Sequence, residues 1–252
     1  MAKIGILGAQ GRMGQAIAVV ADELGAGLSG GVDLGGAVFG PHGDAAALAA
    51  DSDVLVDFSA PAALAGHLDA ALGAGVPIVI GTTGLKPEHH ARIDAAVAKG
   101  LAVLQTGNTS LGVNLLAHLV REAAARLGDD WDVEIVEMHH RHKVDAPSGT
   151  ALLLGAAAAE GRGSTPEALN RFDRIGHGVD KARETGTIGY ASLRGGSVAG
   201  DHMVVLATDN ERIELGHRAE NRSIFARGAV KACLWMAGRP AGRYAMADVL
   251  GL

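Results

Sequence analysis

Residues 3–14 read KIGILGAQGRMG, a short apolar run that passes directly into three glycines spaced G-x-x-G-x-x-G. The apolar run predicts a buried β-strand, and the helical spacing of apolar residues from Met13 to Leu24 predicts a helix directly after it. Glycines at such a turn let the main chain approach a pyrophosphate at the helix N-terminus. A plain glycine turn is the alternative, because glycine spacing alone is weak evidence.

The alternation of strand and helix continues through the first hundred residues. Strands are predicted at 53–58, 76–80 and 101–104, and helices at 61–72 and 87–99. Ser59 is expected to cap the first of these helices. Strands that alternate with helices of this length predict right-handed crossovers and a parallel sheet. The sequence therefore predicts an α/β domain of the Rossmann type.

An acidic residue and two hydroxyl-rich turns extend the predicted nucleotide site. Asp33 ends a predicted second strand about 20–25 residues after the glycines, where a carboxylate takes the ribose hydroxyls of a dinucleotide. A carboxylate repels a 2′-phosphate, and the next residue, Leu34, cannot pair with one, so Asp33 and Leu34 favour NADH. Arg12 is close enough in sequence to supply a positive charge, so NADPH remains an alternative. The turns at 81–84 (GTTG) and 106–109 (TGNT) follow two further strands, at the sheet edge where ligands collect.

The pattern changes after about residue 110. Helices are predicted at 114–127, from about 148 and at 223–236, and strands at 131–138, 187–193, 202–207 and 212–217. Turn residues separate the last three strands, which predicts an antiparallel meander. Residues 161–186, polar and rich in glycine and arginine, predict a long mobile loop. The second part is predicted to be α+β, with a mixed, largely antiparallel open sheet.

Composition limits the class of protein. The 252 residues, 48% hydrophobic, supply a core for one large or two small domains. A net charge of −6 and 3% aromatic residues argue against a nucleic-acid partner. The longest uncharged apolar run is half of the roughly 20 residues that cross a bilayer, and we expect no membrane segment and no signal peptide. Cys233 is the only cysteine, which fits a reducing cytoplasm.

The densest group of ionisable residues is the run EMHHRHKVDAPSGTA at 137–151. Three histidines, an arginine and a lysine follow one another from His139 to Lys143 at the end of a predicted strand, and the segment Ser148-Gly149-Thr150 then opens a helix. Such a helix start offers N–H donors to an anion, and the nearby cations suit a small substrate with carboxylates. Histidine passes a proton at neutral pH, and lysine is a second acid.

Three other interpretations of this run stay open. The His-x-x-His spacing could ligate zinc, but no cysteine or third ligand group lies near it in the sequence, so we predict no metal. The run could be a solvated basic strand end. Ser148 could be only a helix N-cap. Cations next to a helix-start anion site favour the active-site interpretation.

The same run resembles the signature of the dihydrodipicolinate reductases, also called 4-hydroxy-tetrahydrodipicolinate reductases, of bacterial lysine biosynthesis. GAQGRMG at 8–14, DFSAP at 57–61, GTTG at 81–84 and R-x-G-x-x-x-G-x-H at 194–202 resemble that family in the same order. The resemblance covers essentially the whole chain. It implies NAD(P)H-dependent reduction of (2S,4S)-4-hydroxy-2,3,4,5-tetrahydrodipicolinate to tetrahydrodipicolinate in diaminopimelate and lysine biosynthesis.

The resemblance also implies roles for particular residues. His139 would be the proton donor or acceptor and Lys143 the second proton donor. The substrate carboxylates would be held by His140, Ser148, Gly149, Thr150 and Arg222. The cofactor would be lined by Gly8, Ala9, Gln10, Gly11, Arg12, Met13, Asp33, Gly81, Thr82, Thr83, Thr106, Gly107, Asn108 and Thr109. Thr109 stands where the family often has an apolar residue, so the last of these loops departs from the family pattern.

The resemblance further implies a division of the chain and an assembly. Residues 1–109 and 220–252 would form the dinucleotide-binding domain, and residues 110–219 the domain for substrate binding and tetramerisation. A homotetramer would form through the sheets of the substrate domains. A dehydrogenase of another small amino or sugar acid and a non-catalytic nucleotide-sensing protein remain the alternatives.

Overall fold

The computed structural model describes residues 2–252 and divides the chain into two compact units. The first unit runs up to Leu111 and resumes at Ser223–Leu252, and the second is Gly112–Arg222. Each unit has its own sheet. The boundaries predicted from the sequence lie within three residues of these.

The first unit is built on a seven-stranded sheet. Its strands are β1 (Lys3–Leu7), β2 (Gly27–Asp33), β3 (Gly36–Phe39), β4 (Val54–Asp57), β5 (Ile78–Ile80), β6 (Ala102–Gln105) and β12 (Gly242–Tyr244). Their order is β12-β6-β5-β4-β1-β2-β3, and every pairing is parallel except that of β3 with β2. The strand order reverses between β1 and β4, which is where open α/β sheets bind ligands. The predicted Rossmann-type parallel sheet is confirmed.

Helices cover both faces of this sheet. They are α1 (Arg12–Glu23), α2 (Ala45–Ala50), α3 (Leu64–Ala74), α4 (Pro87–Ala98), α8 (Ser223–Met236) and α9 (Met246–Leu250). One apolar cluster joins Ile4 and Val56 to helices α1 and α8, and the other joins Leu55 and Ile78 to α2, α3 and α4. Strands buried on both faces read as continuous apolar runs, which is why they were recognisable in the sequence.

The expected cap of helix α3 is wrong. A short 3-10 turn at Pro61–Ala63 precedes α3, and Ala60 occupies the N-cap position of that turn. The Ser59 hydroxyl donates instead to the buried carboxylate of Asp57, at 2.6 Å. The Ser59 hydroxyl therefore bonds the buried carboxylate of Asp57 instead of capping the helix.

The second unit is a five-stranded sheet with helices. The elements are α5 (Leu111–Leu127, whose first residue belongs to the first unit), β7 (Asp132–His139), α6 (Gly149–Gly161), α7 (Pro166–Leu169), β8 (Asn170–Arg171), β9 (Ile188–Arg194), β10 (Asp201–Thr208) and β11 (Glu211–Arg218). Alternate residues of β7 are buried, and Val133 and Ile135 pack against Leu154 of α6 and Val120 of α5. The mixed α+β architecture is confirmed.

The predicted meander is wrong in one respect. Strands β10 and β11 form an antiparallel hairpin, but β7 lies between β10 and β9, and it pairs parallel with β9. The connection 195–200 crosses the end of β7, where Gly195 N–H donates to the carbonyl of His139 and His140 N–H to that of Val198. Six residues reach up to about 20 Å, enough to pass a strand about 5 Å wide.

The segment predicted as a long loop, 161–186, contains helix α7, strand β8 and a 3-10 turn. Its arginines attach it to the unit. The Arg162 guanidinium donates to the carbonyls of Gly128 and Gly186, and Arg174 and Arg183 pair with Glu134. Across residues 2–252 no helix combines the length and the apolar character that a membrane crossing requires.

Candidate active site and nucleotide cavity

Close backbone contacts explain the glycines after β1. Gly8 has a φ of +83°, and a Cβ on Gly14 would lie 2.4 Å from the carbonyl oxygen of Gly8. The N–H groups of Gly8 and Ala9 both donate to the carbonyl of Val32. This places the start of helix α1 close against the end of strand β2, with its first N–H groups available to an anion.

A cavity of about 610 Å³ lies where the strand order of the first sheet reverses, between β1 and β4. It is lined by Gly8, Gln10, Gly11, Val32, Asp33, Leu34, Gly36, Gly43, Asp44, Ala45, Phe58, Ser59, Ala60, Ala63 and His67. The Asp33 carboxylate accepts the N–H groups of Gln10 and Leu34, each at 2.9 Å. The lining that the structure describes includes no lysine or arginine. A glycine turn, a helix start and a carboxylate at the end of β2 fit a nicotinamide dinucleotide.

A hydrogen-bonded group behind the cavity was missed in the sequence. The Asp57 carboxylate, fully buried at the end of β4, accepts from the hydroxyls of Ser59 and Thr82, and its Oδ2 lies 2.8 Å from Nδ1 of His67. Burial acts to raise the pKa of Asp57, but the hydrogen bonds from His67 and Ser59 outweigh it and lower that pKa. The charged carboxylate thereby fixes the cavity wall formed by Ser59 and His67.

The other predicted cofactor residues divide by exposure. Thr83 and Gly107 are exposed, as are Gly11 and Arg12, whereas Thr82 is 4% exposed and bonds Asp57. Thr106 and Asn108 bond one another across their turn. Thr109 is buried, and its hydroxyl donates to the carbonyl of Phe225 at 2.7 Å. The polar residue at this unusual position therefore anchors helix α8.

In the second unit, His139 ends strand β7 on its buried face. Its Nδ1 lies 2.6 Å from Oε2 of Glu137, two residues earlier on the same face. Arg194, beside His139 in the register of β7 and β9, donates to both carboxylate oxygens of Glu137 at 2.8 and 2.7 Å. Burial acts to raise the pKa of Glu137, but hydrogen bonds from Arg194, Ser192 and His139 lower it to about 2.

The start of helix α6 is joined to the same group. The Ser148 hydroxyl caps the helix by accepting the N–H of Ala151, and the Ser148 N–H donates to Oε1 of Glu137 at 3.2 Å. His202, opposite Glu137 on β10, has Nε2 3.0 Å from the Ser148 hydroxyl and stacks edge-on to His139. Capping and active-site interpretations of Ser148 are therefore compatible.

Two further pairs lie on the segment between β7 and α6. Arg222 lies 3.0 Å from Nε2 of His140, and since a guanidinium can only donate, His140 accepts there and is neutral. Partial loss of solvent and the charge of Arg222 lower the pKa of His140 accordingly. Lys143 pairs with Asp145 at 2.7 Å. In these two pairs the positive charge is therefore on Arg222 and Lys143, and His140 carries none.

Sequence reasoning missed Glu137, Arg194 and His202 as members of the site. Glu137 and His139 share a face because strand residues alternate, so that pair was recognisable in principle. In the sequence, His202 was only the last residue of a family motif. Its place beside Ser148 depends on the strand order, which was not predicted. Burial, followed by the charge of His139, lowers the pKa of His202 to about 4.

Glu137, His139 and His202 also place three ligand atoms within 4.8 Å of one another. Both oxygens of Glu137 already accept hydrogen bonds from Arg194, and one of them also meets Nδ1 of His139. A metal ion at Glu137 would compete with the guanidinium of Arg194, which occupies both carboxylate oxygens. The absence of a metal from the reaction stays a prediction.

A nucleotide cavity on a Rossmann-type sheet, together with a histidine-rich site on a second sheet, defines a nicotinamide-dependent oxidoreductase. The family model "Dihydrodipicolinate reductase, N-terminus" matches residues 2–109, and "Dihydrodipicolinate reductase, C-terminus" matches residues 112–250. The chain belongs to the dihydrodipicolinate reductase family.

Individual relatives agree with this assignment. The chain is 60% identical over 250 residues to the 4-hydroxy-tetrahydrodipicolinate reductase of Zymomonas mobilis, covering 99% of this chain and 97% of the relative. It is 52% identical over 268 residues to the enzyme of the same name from Parvibaculum lavamentivorans, covering 99% and 98%. Dipicolinate-bound dihydrodipicolinate reductase from Paenisporosarcina sp. TG-14 has a TM-score of 0.80 at 23% identity, covering 98% of both chains, and supports the fold.

Proposed function

We propose that this chain reduces (2S,4S)-4-hydroxy-2,3,4,5-tetrahydrodipicolinate to tetrahydrodipicolinate with NAD(P)H, as its relatives' names indicate. A hydride and a proton enter the substrate, and its 4-hydroxyl group leaves as water. The product would feed diaminopimelate and lysine synthesis, and we place the enzyme in the cytoplasm. The first unit would bind the dinucleotide, and the second would bind the dicarboxylate.

One observation carries the proposal. The hydrogen bonds of Glu137 hold the ring of His139 and the start of helix α6 together at one end of the second sheet. An imidazole is a proton donor at neutral pH, and a helix start binds anions such as carboxylates. A doubly anionic, proton-accepting substrate needs both features in one place.

The site residues take the following roles in this proposal. His139 gives the proton through the imidazole, and Lys143 is the second donor. Main-chain N–H groups of Gly149 and Thr150, with the Ser148 cap, bind one carboxylate. Arg222, held against His140, binds the other. Positive charge from Arg222 and Lys143 offsets the charge of the dicarboxylate and fixes the orientation of its ring.

The cavity of the first unit would hold the nicotinamide dinucleotide, which supplies the hydride when bound. The turn 8–13 would carry the pyrophosphate and Asp33 the ribose, with residues 81–83 and 106–109 along the strand ends. We propose a preference for NADH. The support is that Asp33 lines the cavity, Leu34 beside it is 98% exposed, and the described lining holds no lysine or arginine to pair with a 2′-phosphate.

We also propose a homotetramer joined through the second unit's sheet. Helix α6 packs on one face of that sheet, whereas Val136, Met138, Leu193, Met203 and Val205 alternate onto the other face and are all partly exposed. Light scattering should give four chains of 25.5 kDa each. Met203→Glu should dissociate the assembly, and a wild-type monomer would contradict the proposal.

Turnover of the substrate itself tests the proposed function. The purified chain, supplied with the freshly generated substrate, should oxidise NADH with saturable kinetics. Oxidation of NADH with other amino or sugar acids, and none with this substrate, would point to a different dehydrogenase. Tight NADH binding without turnover of any acid would indicate a non-catalytic nucleotide sensor.

A further inference from the structure

One buried carboxylate joins the two parts of the proposed substrate site. Glu137 is 1% exposed. Its Oε2 meets Nδ1 of His139 at 2.6 Å, its Oε1 accepts the N–H of Ser148 at 3.2 Å, and Arg194 donates to both oxygens. His139 and the helix start have roles in the proposed reaction, whereas Glu137 has none.

We propose that Glu137, held by Arg194, is a positioning residue that sets the tautomer and orientation of the His139 ring and attaches that ring to the start of helix α6. The proposal rests on the proposed function, because it names what holds the proposed proton donor. Glu137 itself would contact neither substrate nor cofactor.

The tautomer follows from the hydrogen bonds. An ionised carboxylate has no proton to donate, so the hydrogen in the contact between Glu137 and His139 must lie on Nδ1. The other nitrogen, Nε2, is then the atom that accepts and releases a proton. A Cβ on Gly200 would lie 3.0 Å from Nε2, so a side chain at this position would crowd that nitrogen.

The orientation is fixed from several sides. Arg194 contacts both oxygens of Glu137, which prevents the carboxylate from rotating away. The charged or titratable groups facing His139 are Glu137 on β7, Arg194 on β9 and His202 on β10, whose ring centroid is 5.0 Å away. Of these, Glu137 is the group that lies within hydrogen-bond distance of a ring nitrogen of His139.

The chain offers a matched control on the same strand. Glu134, three residues before Glu137, is likewise ion-paired with arginine, in its case with Arg174 and Arg183. Strand alternation puts it on the opposite face of the sheet from His139. Glu134 and Glu137 therefore share an ion-pair chemistry, but only Glu137 contacts the histidine and the helix start.

Glu137→Gln and Glu134→Gln separate positioning from simple structural support. An amide removes one acceptor oxygen from Glu137, so either the histidine or the Ser148 N–H loses its partner. We expect kcat to fall about 10²-fold in Glu137→Gln, with KM for the dicarboxylate changed less than about tenfold. Glu134→Gln should leave both constants near wild type. Equal losses in both variants, or a loss confined to KM, would overturn the proposal.

A second measurement depends neither on turnover nor on the folding of a Glu137 variant. In ¹⁵N spectra of the wild-type chain, with His139 assigned by comparison with His139→Ala, the neutral ring should carry its hydrogen on Nδ1. A hydrogen on Nε2 would overturn the proposal even if the enzyme is active. If the hydrogen lies on Nδ1 but the chain turns over no substrate, the proposed function would be wrong, and the positioning of His139 by Glu137 would still hold.

Discussion

The hydroxyl of Ser148 lies 3.0 Å from Nε2 of His202, although 54 residues separate them in the chain. The contact connects the start of helix α6 to strand β10. His202 is 5% exposed, and burial lowers its pKa to about 4. The hydrogen bond therefore joins Ser148 to a neutral imidazole throughout the neutral pH range.

This buried histidine should make folding sensitive to acid. An unfolded His202 takes a proton near pH 6.5, whereas the folded one resists it down to about 4. The free energy of unfolding should be highest above pH 6.5 and fall as the pH approaches 4, by up to about 3 kcal/mol from this residue. Urea unfolding of the wild type and of His202→Gln at pH 7 and 4.5 measures the effect. Identical pH dependence in the two chains would contradict it.

The proposed proton donors predict losses of turnover. His139→Ala should lower kcat at least about 10²-fold, the scale of losing a general acid, and Lys143→Ala should do the same. His177→Ala, an exposed histidine of the same unit, is the control. Near-normal turnover after replacing His139 or Lys143 would leave that residue with a structural role only.

Local signals account for the features that the sequence could predict. The glycine turn after β1 and the run from His139 to Thr150 are contiguous, so their chemistry was visible without a fold. The buried parallel strands were recognisable because a short apolar run between two helices is typical of a strand covered on both faces. Strands β3 and β12, of four and three residues, left too little pattern and were missed.

Non-local pairing accounts for the features that the sequence could not predict. A glycine-rich connection after Arg194 suggested a hairpin, and nothing in it indicated that β7 lies between the two strands. Because β7 lies between β9 and β10, Arg194 contacts Glu137 and His202 contacts Ser148. Likewise, the role of Ser59 depended on an anion, Asp57, whose burial is a tertiary property.

The glycine turn predicts a steric effect on stability. A Cβ on Gly14 would lie 2.4 Å from the Gly8 carbonyl oxygen and 2.7 Å from Cα of Ala9, both backbone atoms. Gly14→Ala should therefore destabilise the chain by about 1–3 kcal/mol. Gly73→Ala in helix α3 meets nothing within 4 Å and should stabilise by about 0.5–1 kcal/mol. Thermal unfolding of both variants gives the comparison, and a neutral Gly14→Ala would show that the turn adjusts freely.

The coenzyme preference can be tested and reversed at the edge of the cavity. If Asp33 and Leu34 select NADH, the wild type should have a higher kcat/KM with NADH than with NADPH. Leu34→Arg would add a donor beside the ribose, and a charge-assisted hydrogen bond of roughly 1.5–3 kcal/mol corresponds to a gain of about tenfold or more for NADPH. Leu34→Met, which adds no charge, is the control. A wild-type preference for NADPH, or the same change in kcat/KM for NADPH in both variants, would mean that other residues determine the selectivity at the 2′ position.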